Sequence, residues 1–354
     1  MNDKTKADVP NWPSEDLEHL AFCPVCKSPE RKHAWTDLHD KVFFCAPGSW
    51  SAWHCNSCGA EYLDPRPNTN SIHRAYETYY THEAHPLSVL RKCLEICQVG
   101  IRHSYLNKEL NYQLSGSLPF GWLLYKVLRR RPGITQHTIR HLPPPIETKN
   151  RLLDIGCGDG EFLGIAQKLG YEAEGLEIDP AARGVADTRG LKAHQGIIPG
   201  SGLPHSSYDY ITLSHVVEHL HDPVAGLKEV YNLLKPNGSL WIKIPNRLAS
   251  SRAYLGENSA LLDPPRHLVM FDAASLSVLL EAAGFSQKTF LAPSWEDQRK
   301  SYCGGWMVEH DFGLLKSSHL KVPKDVLRAA NVAYQNTQIE MKISEVVTVV
   351  AKKA

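Results

Sequence analysis

One stretch limits the folds open to this chain more than any other: Leu152-Leu153-Asp154-Ile155-Gly156-Cys157-Gly158-Asp159-Gly160-Glu161-Phe162-Leu163. Leu152, Leu153 and Ile155 form an apolar run that ends in Gly-x-Gly-x-Gly, and apolar periodicity resumes from Phe162 to Leu169. Strand, glycine turn and helix in that order make the opening corner of a doubly wound α/β sheet. Gly156 and Gly158 let the backbone turn tightly and approach a ligand with no Cβ in the way. Glu161 stands where a dinucleotide fingerprint has its third glycine. Asp154 and Asp159 would also repel a phosphate, so a phosphate cradle is disfavoured and a cationic ligand suits the turn.

Glu172 to Asp179 alternates into a second strand, and Glu177 near its end is an acidic side chain about 20 residues past Asp154, placed to bind both hydroxyls of a ribose. Together "LLDIGCGDGEFL" and "EAEGLEIDP" closely resemble motifs of class I S-adenosylmethionine-dependent methyltransferases. The resemblance continues through "YDYITLSHVVEHLHDP", "LLKPNGSLWIKIPN" and "DPPRHLVMFDAASLSVLLEAAGF", covering roughly residues 150 to 292. It implies an α/β fold with a Rossmann-like seven-stranded sheet. It also implies that Asp154, Gly156, Cys157, Gly158, Glu177, Ile178 and Ser214 hold S-adenosylmethionine. Many members carry an acidic residue for the adenine amino group where this chain has Gly196-Ile197-Ile198. Adenine recognition is therefore expected from backbone groups and apolar contact.

At 354 residues the chain exceeds one such core, so a second module or large insertions are expected. Charged residues at 22% and apolar ones at 42% are ordinary for a globular chain, and a net charge of +1 gives no general argument for a nucleic-acid partner. Met1 to Lys6 is polar, without the apolar core of a signal peptide. The apolar run Phe120 to Leu128 is far short of the roughly 20 residues of a membrane span. Nine cysteines, four of them in CxxC pairs, fit metal ligation in a reducing cytoplasm better than disulfides.

Residues 1–20 read as a polar lead-in. Cys23-Pro24-Val25-Cys26 and Cys55-Asn56-Ser57-Cys58-Gly59 follow, and two CxxC knuckles at this separation describe a zinc ribbon over 21–67. Cys23, Cys26, Cys55 and Cys58 would fill a tetrahedral shell around a structural Zn²⁺, with Cys45 and His54 as bystanders, although His54 could replace a cysteine. Asn68 to Tyr80 looks helical, with Ile72 and Tyr76 on one face. The knuckles, "DPRP" and the "YY" helix resemble the N-terminal zinc module of bacterial methyltransferases, many of them encoded with polysaccharide or deoxysugar pathways. That implies a sugar or glycan acceptor.

Residues 68–146 form a helical, basic insertion or lid; 81 to 146 holds nine Lys/Arg against three Glu. Helices are expected around Leu87 to Leu114 and Leu118 to Leu128. The run Gly121 to Arg131 pairs an aromatic-apolar face with a basic end. Two readings are a surface for anionic substrates or a membrane interface, and a core-facing helix with a solvated basic terminus; the second is favoured.

The core occupies 147–354, with an insertion at about 294–338. Strands are expected at Lys192 to His194, Tyr208 to Leu213 and Ser239 to Ile244, and a last antiparallel pair at Phe285 to Leu291 and Ile343 to Ala351. Asp222-Pro223 starts a helix that Pro236-Asn237-Gly238 stops, and Asp272 starts one that Gly284 ends. Ser214-His215 stands at the carboxyl end of its strand, where open α/β sheets bind ligands. His215 and His219 would share a helical face, His215 the better general base and His219 the better brace. "PPRHL" brings His267 as a second base candidate, and Arg266 either for a substrate phosphate or carboxylate or as a tie to a core carboxylate.

The sequence thus points to a methyltransferase using S-adenosylmethionine on a small-molecule or lipid-linked glycan. The alternatives are an RNA methyltransferase that uses the ribbon and basic insertion, and a non-catalytic scaffold.

Overall fold

The computed structural model describes residues 11–77, 89–128, 134–146, 150–310, 322–339 and 341–354. In chain order the first strands are β1 (Leu17–Glu18), β2 (Arg31–Leu38), β3 (Trp50–Cys55), β4 (Glu61–Leu63) and β5 (Arg66–Pro67). Helices α1 (Val89–Leu110), α2 (Gly121–Leu128) and α3 (Ile134–Thr138) follow. The alternating region is β6 (Arg151–Ile155), α4 (Glu161–Lys168), β7 (Glu172–Glu177), α5 (Pro180–Thr188), β8 (Lys192–Gln195), β9 (Tyr208–Ser214), α6 (Pro223–Leu233) and β10 (Leu234–Pro245). The chain ends with α7 (Ser250–Leu255), β11 (Val269–Met270), α8 (Ala273–Ala282), β12 (Gln287–Phe290), α9 (Trp295–Glu309), α10 (Lys324–Ile339) and β13 (Val346–Lys352).

Contacts gather the chain into two compact units: 1–81 with 214–231 and 242–352, and 82–213 with 232–241 and 353–354. The second unit contains the parallel pairs β6–β7, β6–β9 and β7–β8. Its core joins Leu152, Phe162, Leu163, Ala166 and Ala173 from the strand–turn–helix corner to Leu106, Tyr112 and Ile139 from the preceding helical segment. The first unit contains the antiparallel pair β12–β13, with α9 and α10 in the chain between them. Strand order along the seven-stranded sheet is β12-β13-β10-β9-β6-β7-β8.

Burial explains most of these elements. β6 buries Leu152, Leu153, Asp154 and Ile155 in succession, the unbroken pattern of a strand covered on both faces. Asp179 starts α5 by accepting hydrogen bonds from the Ala181 and Ala182 amides. Asp272 and Ser275 close a reciprocal capping box on α8, and Gly284 follows that helix at φ 105°.

Three expectations are corrected. Asn68 to Tyr80 is not an α-helix over its described part: Ile72–Tyr76 is a single 3₁₀ turn. Ser71 is pinned there, its Oγ donating to the Asp16 carbonyl at 2.7 Å, so the chain is tied down before a longer helix can form. Pro236-Asn237-Gly238 does not merely stop a helix, because β10 already begins at Leu234. Asn237, at φ 62°, donates to the Lys353 carbonyl at 3.1 Å, and Lys353 donates back to Gly238 at 3.0 Å. The C-terminal residues thus recruit this turn into the ladder. α2, finally, turns only a narrow strip inward: Gly121 and Tyr125 are buried, Tyr125 stacking on Tyr105, whereas Phe120 is 79% and Val127 63% exposed, with Leu123 and Leu124 open as well. Among the described residues no helix is long and apolar enough to cross a membrane.

Candidate functional site

The glycine turn after β6 is built by backbone geometry. Gly156, Gly158 and Gly160 all have positive φ, at 70°, 54° and 82°, which favours glycine. A Cβ at Gly158 would meet nothing within 4 Å, so its backbone lines open space. Glu177, at the end of β7, accepts from the Gly158 amide at 2.8 Å and from the Asp179 amide at 2.9 Å. Each oxygen keeps a lone pair for a further donor. β7 and β8 run in register through Glu177 and Gln195, which sets Ile178 and Gly196-Ile197 just past one sheet edge. Ile178 and Ile197 are 59% and 50% exposed, an apolar pair beside a carboxylate.

Two of the expected cofactor residues turn their side chains inward. Asp154 is fully buried, and its Oδ1 takes Arg140 and the Thr212 hydroxyl, the latter at 2.8 Å. Burial pushes this carboxyl up, and Arg140 opposes that by its charge. Oδ2 has no hydrogen-bond partner among the described residues. Cys157 turns its side chain into the core, where a Cβ on Gly175 would come within 2.3 Å of Sγ. Burial raises that thiol to about 12. Only the backbone of Cys157 can face the turn's ligand. Ser214 closes β9, one residue beyond the paired Ile155 and Leu213.

Arg140 was missed because it lies outside the resembling blocks. Its guanidinium bonds the Thr212 hydroxyl at 2.8 Å and lies 3.7 Å over the Phe162 ring and 5.4 Å from that of Trp241. The only sequence signal was the need of a buried Asp154 for a cation. A cleft of about 1170 Å³ in this unit has Asp159 and Gly160 on one wall, but neither Glu177, Ile178, Ile197 nor Arg140 lines it.

The four cysteines gather as the spacing requires. Lys27, at φ 60°, donates to the Cys23 carbonyl, and Gly59, at φ 80°, donates to the Cys55 carbonyl, both at 3.0 Å. These matched turns point each pair of sulfurs inward. Cys23 Sγ lies 3.7 Å from Cys58 Sγ and Cys26 Sγ 3.5 Å from Cys55 Sγ. Tetrahedral Zn–S bonds of about 2.3 Å would set sulfurs roughly 3.8 Å apart, so the donor set fits the ion. His54 is no part of this group, and Cys45 lies elsewhere, its Sγ 3.2 Å from the Ala75 carbonyl.

The histidines separate. β9 ends at Ser214 and the 3₁₀ turn begins at Val217, so His215, at φ 56°, does not share a helical face with His219. His215 is 44% exposed, with Nδ1 3.3 Å from Glu218 Oε1. His219 is enclosed, and desolvation lowers it to about 4 despite the adjacent Glu218. His267 is buried and donates from Nδ1 to the Leu261 carbonyl at 2.9 Å. Arg266 is a tie to core carboxylates: its guanidinium bonds Asp40 Oδ1 at 2.6 Å, both oxygens of Asp263 at 3.0 Å, and the Ala75 carbonyl at 3.0 Å. The "PPRHL" stretch is fastened to the interior by these bonds, and β11 just after it pairs antiparallel with β4.

Residues 127–287, just under half the chain, match the family model described as a methyltransferase domain. The seven-stranded sheet that the resemblance implies is present in the fold. A probable S-adenosylmethionine-dependent methyltransferase of Mycolicibacterium smegmatis is 31% identical over 138 residues, 38% of this chain and 51% of that protein. A ubiquinone biosynthesis O-methyltransferase of Xanthomonas campestris is 26% identical over 151 residues, 41% of this chain and 57% of that protein. The chain thus spans about half the length of these relatives. A solved S-adenosylmethionine-dependent methyltransferase from Archaeoglobus fulgidus, at 21% identity, covers 66% of this chain and 100% of its own, with a TM-score of 0.43.

Proposed function

We propose that the protein transfers a methyl group from S-adenosylmethionine to a sugar, glycan or nucleotide-sugar intermediate. The observation that carries the cofactor reading is the positive-φ glycine turn closed by Glu177. Glu177 would bind the ribose hydroxyls, and the exposed Ile178 and Ile197 would flank adenine in place of an acidic partner. Arg140 supplies a cation for the cofactor's carboxylate, and the unpartnered Oδ2 of Asp154 can accept from its ammonium. When bound, the cofactor supplies a sulfonium-activated methyl carbon for direct displacement.

The chain's own part is to orient the reactants and remove the acceptor's proton. Of the three histidines, His215 has the accessible ring, so we assign it the proton-accepting role. His219 and His267 are turned to backbone carbonyls. A structural Zn²⁺ on Cys23, Cys26, Cys55 and Cys58 completes the reading, and the free thiols fit a cytoplasmic setting. The sugar acceptor rests on the ribbon's resemblance to modules of glycan-pathway enzymes. The open apolar face of α2, followed in sequence by Arg129-Arg130-Arg131, suits a lipid-linked acceptor at an anionic surface.

Two measurements test this. Calorimetry should give a dissociation constant for S-adenosylmethionine that Glu177→Ala raises at least about tenfold, since hydrogen bonds to a charged group contribute about 1.5–3 kcal/mol; unchanged affinity removes Glu177 from the site. Radiolabelled methyl offered to a lysate should enter the lipid-extractable or small-molecule pool. Label confined to RNA would replace the glycan reading with the RNA one.

A further inference from the structure

Glu218 has an environment that the methyl-transfer reading leaves unexplained. Its side chain is 1% exposed, and among the described residues neither carboxylate oxygen accepts a hydrogen bond. A buried ionised carboxylate needs a cation or several donors to offset its desolvation. Among the described residues, the one basic atom within ion-pair reach is Nδ1 of the half-open His215, at 3.3 Å.

The half-buried His219 and the buried His267 face the same point. His219 and His267 lie with ring centroids 4.9 Å apart at 61°, and one ligand atom from each, with one from Glu218, all fall within 4.8 Å of one another. Nδ1 of His219 is 2.9 Å from the Arg266 carbonyl, and Nδ1 of His267 is 2.9 Å from the Leu261 carbonyl. A carbonyl oxygen only accepts, so each Nδ1 carries the proton. Nε2 is left with a lone pair on both rings. An Nδ1–H held by a main-chain carbonyl is also how ligating histidines are oriented. The Tyr76 hydroxyl, 3.1 Å from Nδ1 of His219, braces the same ring. Asp263 Oδ2 lies 3.9 Å from Nε2 of His267 but is already bonded to Arg266.

The backbone that carries these residues is fixed. Leu268 N donates to the Glu218 carbonyl at 2.8 Å, which ties the 3₁₀ turn to the segment carrying His267. Arg266, between them in this arrangement, is locked by Asp40 and Asp263.

We propose that Glu218, His219 and His267 form a second metal site, separate from the four cysteines, for a divalent first-row transition ion, with His215 at its open side. Two imidazoles and one carboxylate make a borderline donor set that suits zinc, iron, cobalt or nickel, whereas magnesium and calcium favour all-oxygen shells. With bonds of about 2.0–2.2 Å, ligand atoms sit roughly 3–4 Å apart. Ligand atoms that lie within 4.8 Å of one another would close by at most about 1–2 Å around an ion, which would satisfy both the carboxylate and the two lone pairs.

The test is Co²⁺ titration of the full chain after the cysteine site has taken up Zn²⁺. One further equivalent should bind with d–d bands and without the intense sulfur-to-cobalt charge transfer that thiolate ligation produces. The paramagnetically shifted proton spectrum should show two exchangeable imidazole N–H signals, from Nδ1 of His219 and His267. This reads ligation in the wild-type chain and depends on no variant. The double substitution Glu218→Gln, His267→Gln should abolish the equivalent while Cys55→Ser leaves it in place. No additional Co²⁺, binding that carries the charge-transfer band, or binding that a folded double variant retains would each overturn the proposal.

Discussion

Arg266 carries a full charge in the interior, and the carboxylates around it decide what that costs. It is wholly buried, 4.6 Å from the Phe43 ring, with Asp40 and Asp263 as its counter-charges. Removing the guanidinium would leave both carboxylates buried and unpaired, so Arg266→Met should lower the free energy of unfolding by about 3–5 kcal/mol in urea denaturation. Adding Asp40→Asn and Asp263→Asn should recover part of that loss, because the penalty belongs to the orphaned charges. Asp40 also gives a pH signature. Burial would raise its carboxyl, yet Arg266 and the Phe43 and Ala46 amides hold it at about 2. A folded value below the unfolded one of about 3.9 contributes stability that is intact above pH ~4 and is lost as the pH falls toward 2.

The elements that sequence periodicity located best are those that bury an unbroken face. β6, α4 and β9 fall within a residue or so of the positions read from apolar spacing, and β7 begins where it was expected and ends two residues sooner. α2 shows where periodicity alone misleads, since an apolar stripe says nothing about whether a partner covers it. Leu123, Leu124 and Val127 stand open. If that face meets an anionic lipid surface, co-sedimentation with phosphatidylserine vesicles should weaken on the order of 100-fold in an Arg129/Arg130/Arg131 triple alanine variant, at about 1 kcal/mol per basic residue. Binding equal to wild type would dispose of the membrane contact.

Across the whole molecule, the segment that carries the four clustered cysteines shares the first compact unit with much of the C-terminal half of the chain. β4 joins β3 on one side and β11 on the other, and Glu61 is paired with the buried Arg252 at 2.8 Å. Metal on the four cysteines should therefore stabilise more than the knuckles. Structural zinc contributes on the order of 10 kcal/mol in small modules. Chelation, or Cys55→Ser, should accordingly lower the melting temperature by at least about 10 °C by scanning fluorimetry. His54→Ala should keep full zinc content. A chelated chain that melts unchanged would show that the cysteines carry no structural ion.

Local chemistry in the chain was enough for the glycine turn, the carboxylate at Glu177, the CxxC pairs and the helix starts at Asp222 and Asp272. Each depends on residues within a few positions of one another, or on a spacing that a single strand–turn–helix unit or knuckle imposes. Tertiary structure alone decided the partners of buried charge. Arg140 is 14 residues from Asp154 and Thr212 is 58, Asp40 is 226 from Arg266, and no periodicity links such distant positions. The same holds for Glu218, whose lack of donors exists only once His219 and His267 have been folded against it. Burial makes the charge expensive, and only the folded chain determines which distant groups are near enough to offset it.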